Sequence, residues 1–94
     1  MARARYEIEI SKRAAKALAK LSREARERVA KEIDQLSHDP RPPGCEKLGV
    51  SGAAYRIRVG EYRVVYDLAD KIRLVKVTSV GHRKDIYRRL PRKS

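Results

Sequence analysis

Residues 55–66 read Tyr55-Arg56-Ile57-Arg58-Val59-Gly60-Glu61-Tyr62-Arg63-Val64-Val65-Tyr66, two β-prone runs on either side of Gly60-Glu61. A glycine at the first of two linking positions supplies the positive φ that a tight hairpin loop demands, so the runs are predicted to pair antiparallel. The loop length then sets the register: Val59 faces Tyr62, Arg58 faces Arg63, Ile57 faces Val64 and Arg56 faces Val65. Side chains alternate across a strand. Tyr55, Ile57, Val59, Tyr62, Val64 and Tyr66 therefore share one face, suited to packing on helices, and Arg56, Arg58 and Arg63 share the other.

Downstream, Ile72 to Val80 is a third β-rich run, separated from Tyr62 to Leu68 by Ala69-Asp70-Lys71, and with Ala54 to Val59 it makes a three-stranded meander. The linker after Leu68 fits either three or four residues, so Val75 and Val77 are assigned no face. Upstream, three prolines in Asp39-Pro40-Arg41-Pro42-Pro43-Gly44 cannot continue a helix, and a loop is predicted over about residues 39–52. Before it, Ser22 caps a helix running to about Ser37, with Ala25, Val29, Ile33 and Leu36 on one narrow face. Ser11 caps another over the next ten residues, with Ala14, Leu18 and Leu21 in line. Tyr6-Glu7-Ile8-Glu9-Ile10 alternates with period two and predicts an opening strand. His82 to Leu90 has the character of one or two helical turns ended by Pro91. The order is β-α-α-β-β-β with a short C-terminal helix. This is an α+β domain with an N-terminal helical hairpin on one face of a small, mainly antiparallel sheet.

Ninety-four residues make one domain, 1–94, which excludes an enzyme with a separate substrate domain. The 24 Lys and Arg against 12 Asp and Glu leave a net charge of +12, and charged residues form 38% of the chain against roughly 25% in an ordinary domain. Such a surface repels itself until a polyanion or an acidic partner neutralises it. Lys12, Lys16 and Lys20 fall in one stripe along the first helix, which is either solvated surface or a contact for a polyanion. The single cysteine, Cys45, forms neither an intramolecular disulfide nor a CxxC-type zinc site and is read as a bystander in a reducing, cytoplasmic setting. No run approaches the ~20 apolar residues of a membrane span, and no signal-peptide core follows Met1.

Two guanidinium groups placed opposite each other, with Cβ atoms about 5 Å apart, repel by roughly 3 kcal/mol at an effective dielectric near 20 and by under 1 in water. Folding alone does not select that arrangement. A phosphate between the arginines reverses its sign through charge-assisted hydrogen bonds, whereas a solvated face simply splays them into water.

With Val80-Gly81-His82-Arg83 and Ile86-Tyr87 after the meander, and Lys47-Leu48-Gly49 before it, the chain resembles the RelE branch of the RelE/ParE toxin superfamily over nearly its whole length. The resemblance implies a toxin of a type II toxin-antitoxin pair. Its expected activity is metal-free, cofactor-free cleavage of mRNA in the ribosomal A site. Position by position it implies site roles for Arg56, Arg58, Arg63, Arg83 and Tyr87. Some members carry lysine at the first two positions; arginine there is a poor base and serves as fixed positive charge. Arg56, Arg58 and Arg63 are expected to grip the phosphate, and Arg83 to act at the leaving oxygen. Tyr87 is read either as the group that orients or deprotonates the nucleophile or as a stacking ring. Lys12, Lys16, Lys20, Lys47 and Lys84 are the expected RNA and ribosome contacts.

The expected partners are a cognate acidic, RelB-like antitoxin and the ribosome with its mRNA and rRNA. Membranes are not expected as partners, and DNA only indirectly, through an antitoxin complex. His82 is weighed as an acid or base and read as structural, since alternation aims it away from Arg83. His38 is read as a cap residue at the end of the second helix, where a cation suits the helix dipole. Tyr55, Tyr62 and Tyr66 are read as core or sheet-edge residues rather than stacking platforms. Two other functions stay open: a ParE-like toxin acting on DNA gyrase by protein contact, and a basic RNA-binding module without catalysis.

Overall fold

The computed structural model describes residues 5–49 and 52–85. Strand β1 (Glu7–Ile10) leads into helices α1 (Lys12–Ala19) and α2 (Arg23–Gln35). Strands β2 (Glu46–Lys47), β3 (Ala54–Val59) and β4 (Tyr62–Ala69) follow, then a single 3₁₀ turn (Asp70–Ile72) and β5 (Leu74–His82). Ser11 and Ser22 cap the two helices, each side chain accepting the backbone N–H three residues on, from Ala14 at 3.1 Å and from Ala25 at 3.2 Å.

The five strands form one sheet in the order β1-β5-β4-β3-β2. Strand β1 runs parallel to β5, and every other pairing is antiparallel. The two helices carry the chain from β1 at one edge of the sheet to β2 at the other, and the antiparallel strands then return it to β5 beside β1. Both pack on one face, the inner one. There Ala14, Val29, Ile33 and Leu36 meet Ile57, Val59, Val64, Tyr66, Leu68, Val75, Val77 and Val80 in a single buried cluster. Leu18, Leu21, Tyr55 and Tyr62 are half-buried at its margin. The α+β architecture expected from the alternation is present, and the hairpin register agrees at every position, including Arg58 opposite Arg63.

Several boundaries differ from expectation. The loop predicted over 39–52 contains β2, because Glu46 and Lys47 pair with Arg56 and Tyr55, a two-residue ladder too short to carry a sequence period. Helix α2 stops at Gln35, before Ser37, where Leu36, Ser37 and His38 tighten into i→i+3 bonds. Helix α1 spans eight residues rather than ten. Strand β5 begins at Leu74 rather than Ile72, because Arg73 adopts a left-handed φ of 51° and donates its N–H to Asp70 O at 3.2 Å. It continues past Val80 to His82. The C-terminal helical turns expected before Pro91 lie outside the described residues from 86 onward.

A bulge decides the face of the valines in β5. Val65 stands opposite Ser79 and Tyr66 opposite Val77, so Thr78 is the extra residue. Its hydroxyl donates to Val65 O at 3.2 Å, and its own carbonyl accepts the Ser11 hydroxyl at 3.3 Å. Strict alternation cannot send Val75, Val77 and Val80 to one side. With one residue inserted between Val77 and Ser79, all three are buried in the same core.

Candidate functional site

The outer face of the sheet carries the side chains that alternate away from the core. Arg58 lies opposite Arg63, and Arg63 opposite Gly81, which adds no side chain on that strand. Arg56 lies opposite Val65, and Val65 opposite Ser79; both of these are buried, at 4% and 6% exposure. Beyond β5 the chain turns at His82 to Asp85 and brings Arg83 and Lys84 to the same end. Arg56, Arg58, Arg63, Arg83 and Lys84 line one open depression of about 380 Å³.

The cations are held in different ways. The Arg56 side chain is 15% exposed and paired with Glu46, its register partner on β2. Arg63 bends toward the hairpin tip, its Nη1 donating to Tyr62 O at 3.0 Å and Gly60 O at 3.2 Å. Burial, then the charges of Arg58 and Arg63, lowers the pKa of Arg56 from the ordinary arginine value. Burial, then Arg58 and Arg83, lowers that of Arg63, with Glu61 opposing. Both remain cations at neutral pH. The common direction marks a cluster of positive charge that a bound anion would relieve.

Lys84 thus joins the four arginines, while the other lysines stand elsewhere. Lys47 pairs with Tyr55, whose side chain belongs to the inner face, so the register turns it away from the depression. Lys12 and Lys16 are exposed on α1 and Lys20 at its C-cap, in the layer on the far side of the sheet. Lys20 borders a separate groove of about 340 Å³ with Ala17, Leu21, Tyr62 and His82. Tyr87 lies outside the described residues. No sequence signal singles out Glu46, since nothing in a proline-rich loop announces a carboxylate paired with a strand arginine. In the sequence Glu61 is only a hairpin residue, yet in the fold it holds the His82 ring at 2.9 Å.

His82 stands on the inner side, opposite Tyr62, its ring edge-on to the phenol with centroids 5.8 Å apart. Both ring nitrogens are engaged, Nε2 with Glu61 and Nδ1 with the Lys84 N–H at 3.1 Å. The structural reading of this histidine suits that geometry. At the other end of the sheet Tyr66 is fully buried, stacks on Tyr55 at 5.9 Å and donates its hydroxyl to Pro40 O at 2.7 Å. Tyr55 in turn accepts from Arg41 Nε at 3.0 Å. These tyrosines are committed to the fold. Among the described residues no group of three or more His, Cys, Asp and Glu is arranged to hold a metal ion, and no helix is long and apolar enough to cross a membrane.

The protein is thus a small α+β domain that carries a cluster of positive charge on the sheet face opposite its helices. The family model for the ParE toxin of type II toxin-antitoxin systems, parDE, matches residues 8–87. The chain belongs to this family, within the RelE/ParE superfamily, and is a toxin of the type II class. Among solved structures it is similar to a chain of the archaeal RelE-RelB complex from Pyrococcus horikoshii OT3, with 31% identity and a TM-score of 0.75 over 83% of this chain and 94% of that one. It is also similar to a chain of the intact Escherichia coli RelBE toxin-antitoxin complex, with 32% identity and a TM-score of 0.72 over 82% and 95%. A chain of the RelBE2 complex from Mycobacterium tuberculosis, 24% identical over 83% and 98% with a TM-score of 0.74, shares the fold.

Proposed function

We propose that this toxin is a ribosome-dependent endoribonuclease that cuts mRNA in the A site without a metal ion, so arresting translation. The observation that carries the reading is the convergence of Arg56, Arg58, Arg63, Arg83 and Lys84 on one depression of about 380 Å³. In the proposed reaction the ribose 2′-hydroxyl loses its proton and its oxygen bonds to the adjacent phosphorus. The bond from phosphorus to the 5′-oxygen then breaks, and that oxygen leaves with a proton taken from water, the 2′-hydroxyl proton having passed to Tyr87 or to water. Arg56, Arg58 and Arg63 stabilise the added charge at phosphorus, and Arg83 neutralises the leaving oxygen. Glu46 holds Arg56 in place. Tyr87 acts on the nucleophile or stacks on a base.

Arginines are poor proton acceptors at neutral pH, and His82 is engaged on the opposite face, so the described site is weak in acid-base groups. Holding the RNA backbone in line is then the larger contribution, and the ribosome supplies it. The Lys12, Lys16 and Lys20 stripe meets ribosomal RNA in a salt-sensitive way, with Lys47 and Lys84 as further contacts. An acidic, RelB-like antitoxin neutralises the basic surface; the complexes among the solved relatives support that partner. The chain works as a single domain, 1–94, in the cytoplasm.

One observation favours a second reading. The matching family model is that of the ParE toxin, which fits inhibition of DNA gyrase by protein contact. Primer-extension mapping separates the two. Purified protein is incubated with mRNA on programmed ribosomes, beside free mRNA and the Arg83→Ala variant. Cleavage on ribosomes alone, lost in Arg83→Ala, is the expected result. Absence of cleavage from protein that still arrests growth, together with blocked gyrase supercoiling, would sink the nuclease reading.

A further inference from the structure

We propose that Glu61 and His82 act together as positioning residues for Arg83, tying the turn that carries it to the tip of the β3–β4 hairpin. The inference rests on the nuclease reading, in which Arg83 serves the leaving oxygen. Four hydrogen bonds define the tie. Arg83 N–H donates to Glu61 O at 2.7 Å, and Asp85 N–H donates to His82 O at 2.8 Å, closing the turn. Lys84 N–H donates to His82 Nδ1 at 3.1 Å, and His82 Nε2 lies 2.9 Å from Glu61 Oε1.

These contacts determine the tautomer. A backbone N–H only donates, so Nδ1 is the bare nitrogen, and the ring proton sits on Nε2, pointing at the Glu61 carboxylate. The histidine thus bridges the two segments, accepting from the turn and donating to the hairpin. Tyr62, edge-on at 5.8 Å, limits its rotation. The His82 hydrogen bond, and then the charge of Arg83, keeps the Glu61 carboxyl below the usual carboxylate range, so it stays ionised as the acceptor. With the backbone fastened on both sides, the Arg83 side chain enters the depression from its rim.

Charge alone leads elsewhere. A carboxylate beside an arginine cluster opposes binding of a polyanion, so its loss would tighten substrate binding and leave turnover alone. The tie requires that turnover fall instead.

The test measures kcat and KM on programmed ribosomes for the full chain and for Glu61→Ala, His82→Asn, the double variant and Glu61→Gln. Asparagine at 82 still accepts from the Lys84 N–H but does not reach Glu61. Each single variant should lower kcat about tenfold with little change in KM, the size expected of a misplaced group. The double variant should be no slower than the slower single one, since both break one linkage. Glu61→Gln, whose carbonyl accepts the same bond, should recover most of the loss. Independently of activity, nitrogen NMR of the wild type should find His82 protonated at Nε2 only. Hydrogen exchange of the Lys84 amide should accelerate in Glu61→Ala. Wild-type kcat with lowered KM in Glu61→Ala, multiplying losses in the double variant, or no recovery with glutamine overturns the tie. A wild type that does not cleave on ribosomes defeats the nuclease reading instead; the tie is then decided by the tautomer and exchange measurements, and a ring protonated at Nδ1 overturns it.

Discussion

Arg58 on β3 and Arg63 on β4 occupy one register position of an antiparallel pair, side by side on the face that the helices leave uncovered. Neither has a carboxylate across the ladder. Like charges placed in this way cost stability, so the arrangement is accounted for by what the pair binds rather than by how the chain folds.

Arg58→Ala is therefore expected to stabilise the free protein while damaging its activity. Removing one member of the pair should raise stability by about 0.5 kcal/mol, a gain that shrinks as salt screens the repulsion. Cleavage on ribosomes should fall at least tenfold. Urea titrations at low and high salt, beside the primer-extension assay, check both halves. A variant that is less stable than the parent at low salt contradicts the account.

Inorganic phosphate should raise the melting temperature of the wild type through binding to the folded state, and the increment should vanish in the Arg56→Ala/Arg58→Ala variant. Glu46 neutralises part of the field at Arg56, so Glu46→Gln should bind phosphate more tightly, about threefold at low salt, with the advantage lost as salt rises. Thermal scans against phosphate concentration measure each effect.

At the far end of the sheet, Asp70 accepts from Arg41 at 2.7 and 3.3 Å and from the Tyr6 hydroxyl at 2.6 Å, joining the proline loop, the start of β1 and the β4–β5 turn. The Arg41 and Tyr6 hydrogen bonds hold its carboxyl below the ordinary value of 3.8. Its folded pKa is thus the depressed one. The stabilisation is complete above the unfolded value and is lost as pH falls through the folded value. Asp70→Asn should weaken the protein at pH 6 and flatten the acid limb below about pH 4. Urea midpoints across that range report the difference, and an unaltered acid limb would count against the assignment.

Tyr66→Phe tests the anchor of the proline loop. The buried phenol donates to Pro40 O at 2.7 Å, and burial pushes its pKa above the ordinary tyrosine value. Phenylalanine keeps the packing and leaves that carbonyl without this donor, at a cost of about 1–2 kcal/mol. The urea midpoint should drop with an unchanged slope.

Short-range rules were enough for a large share of this structure. Period-two alternation and the two-residue loop fixed which of residues 55–66 face inward, and the agreement extends to every pair of the β3–β4 ladder. Ser11 and Ser22 announced both helices, and the prolines announced the break after them. The identities of Arg56, Arg58 and Arg63, and their common face, follow from the chain's own periodicity. Net charge added the sign of the partner.

Tertiary structure decided what no local period encodes. The bulge at Thr78 is the compromise that buries Val75, Val77 and Val80 together, and it exists because β4 and the helices present one core to be filled. The placement of Glu46 against Arg56 depends on a two-residue strand that forms only where β3 offers a free edge. Arg83 and Lys84 reach the arginine face because the His82 turn folds back on the hairpin tip and is fastened there by Glu61, a contact across 21 residues. Alternation and capping act over a few bonds and are legible in the sequence; the closure of distant segments depends on what the assembled core and sheet edges leave to be satisfied.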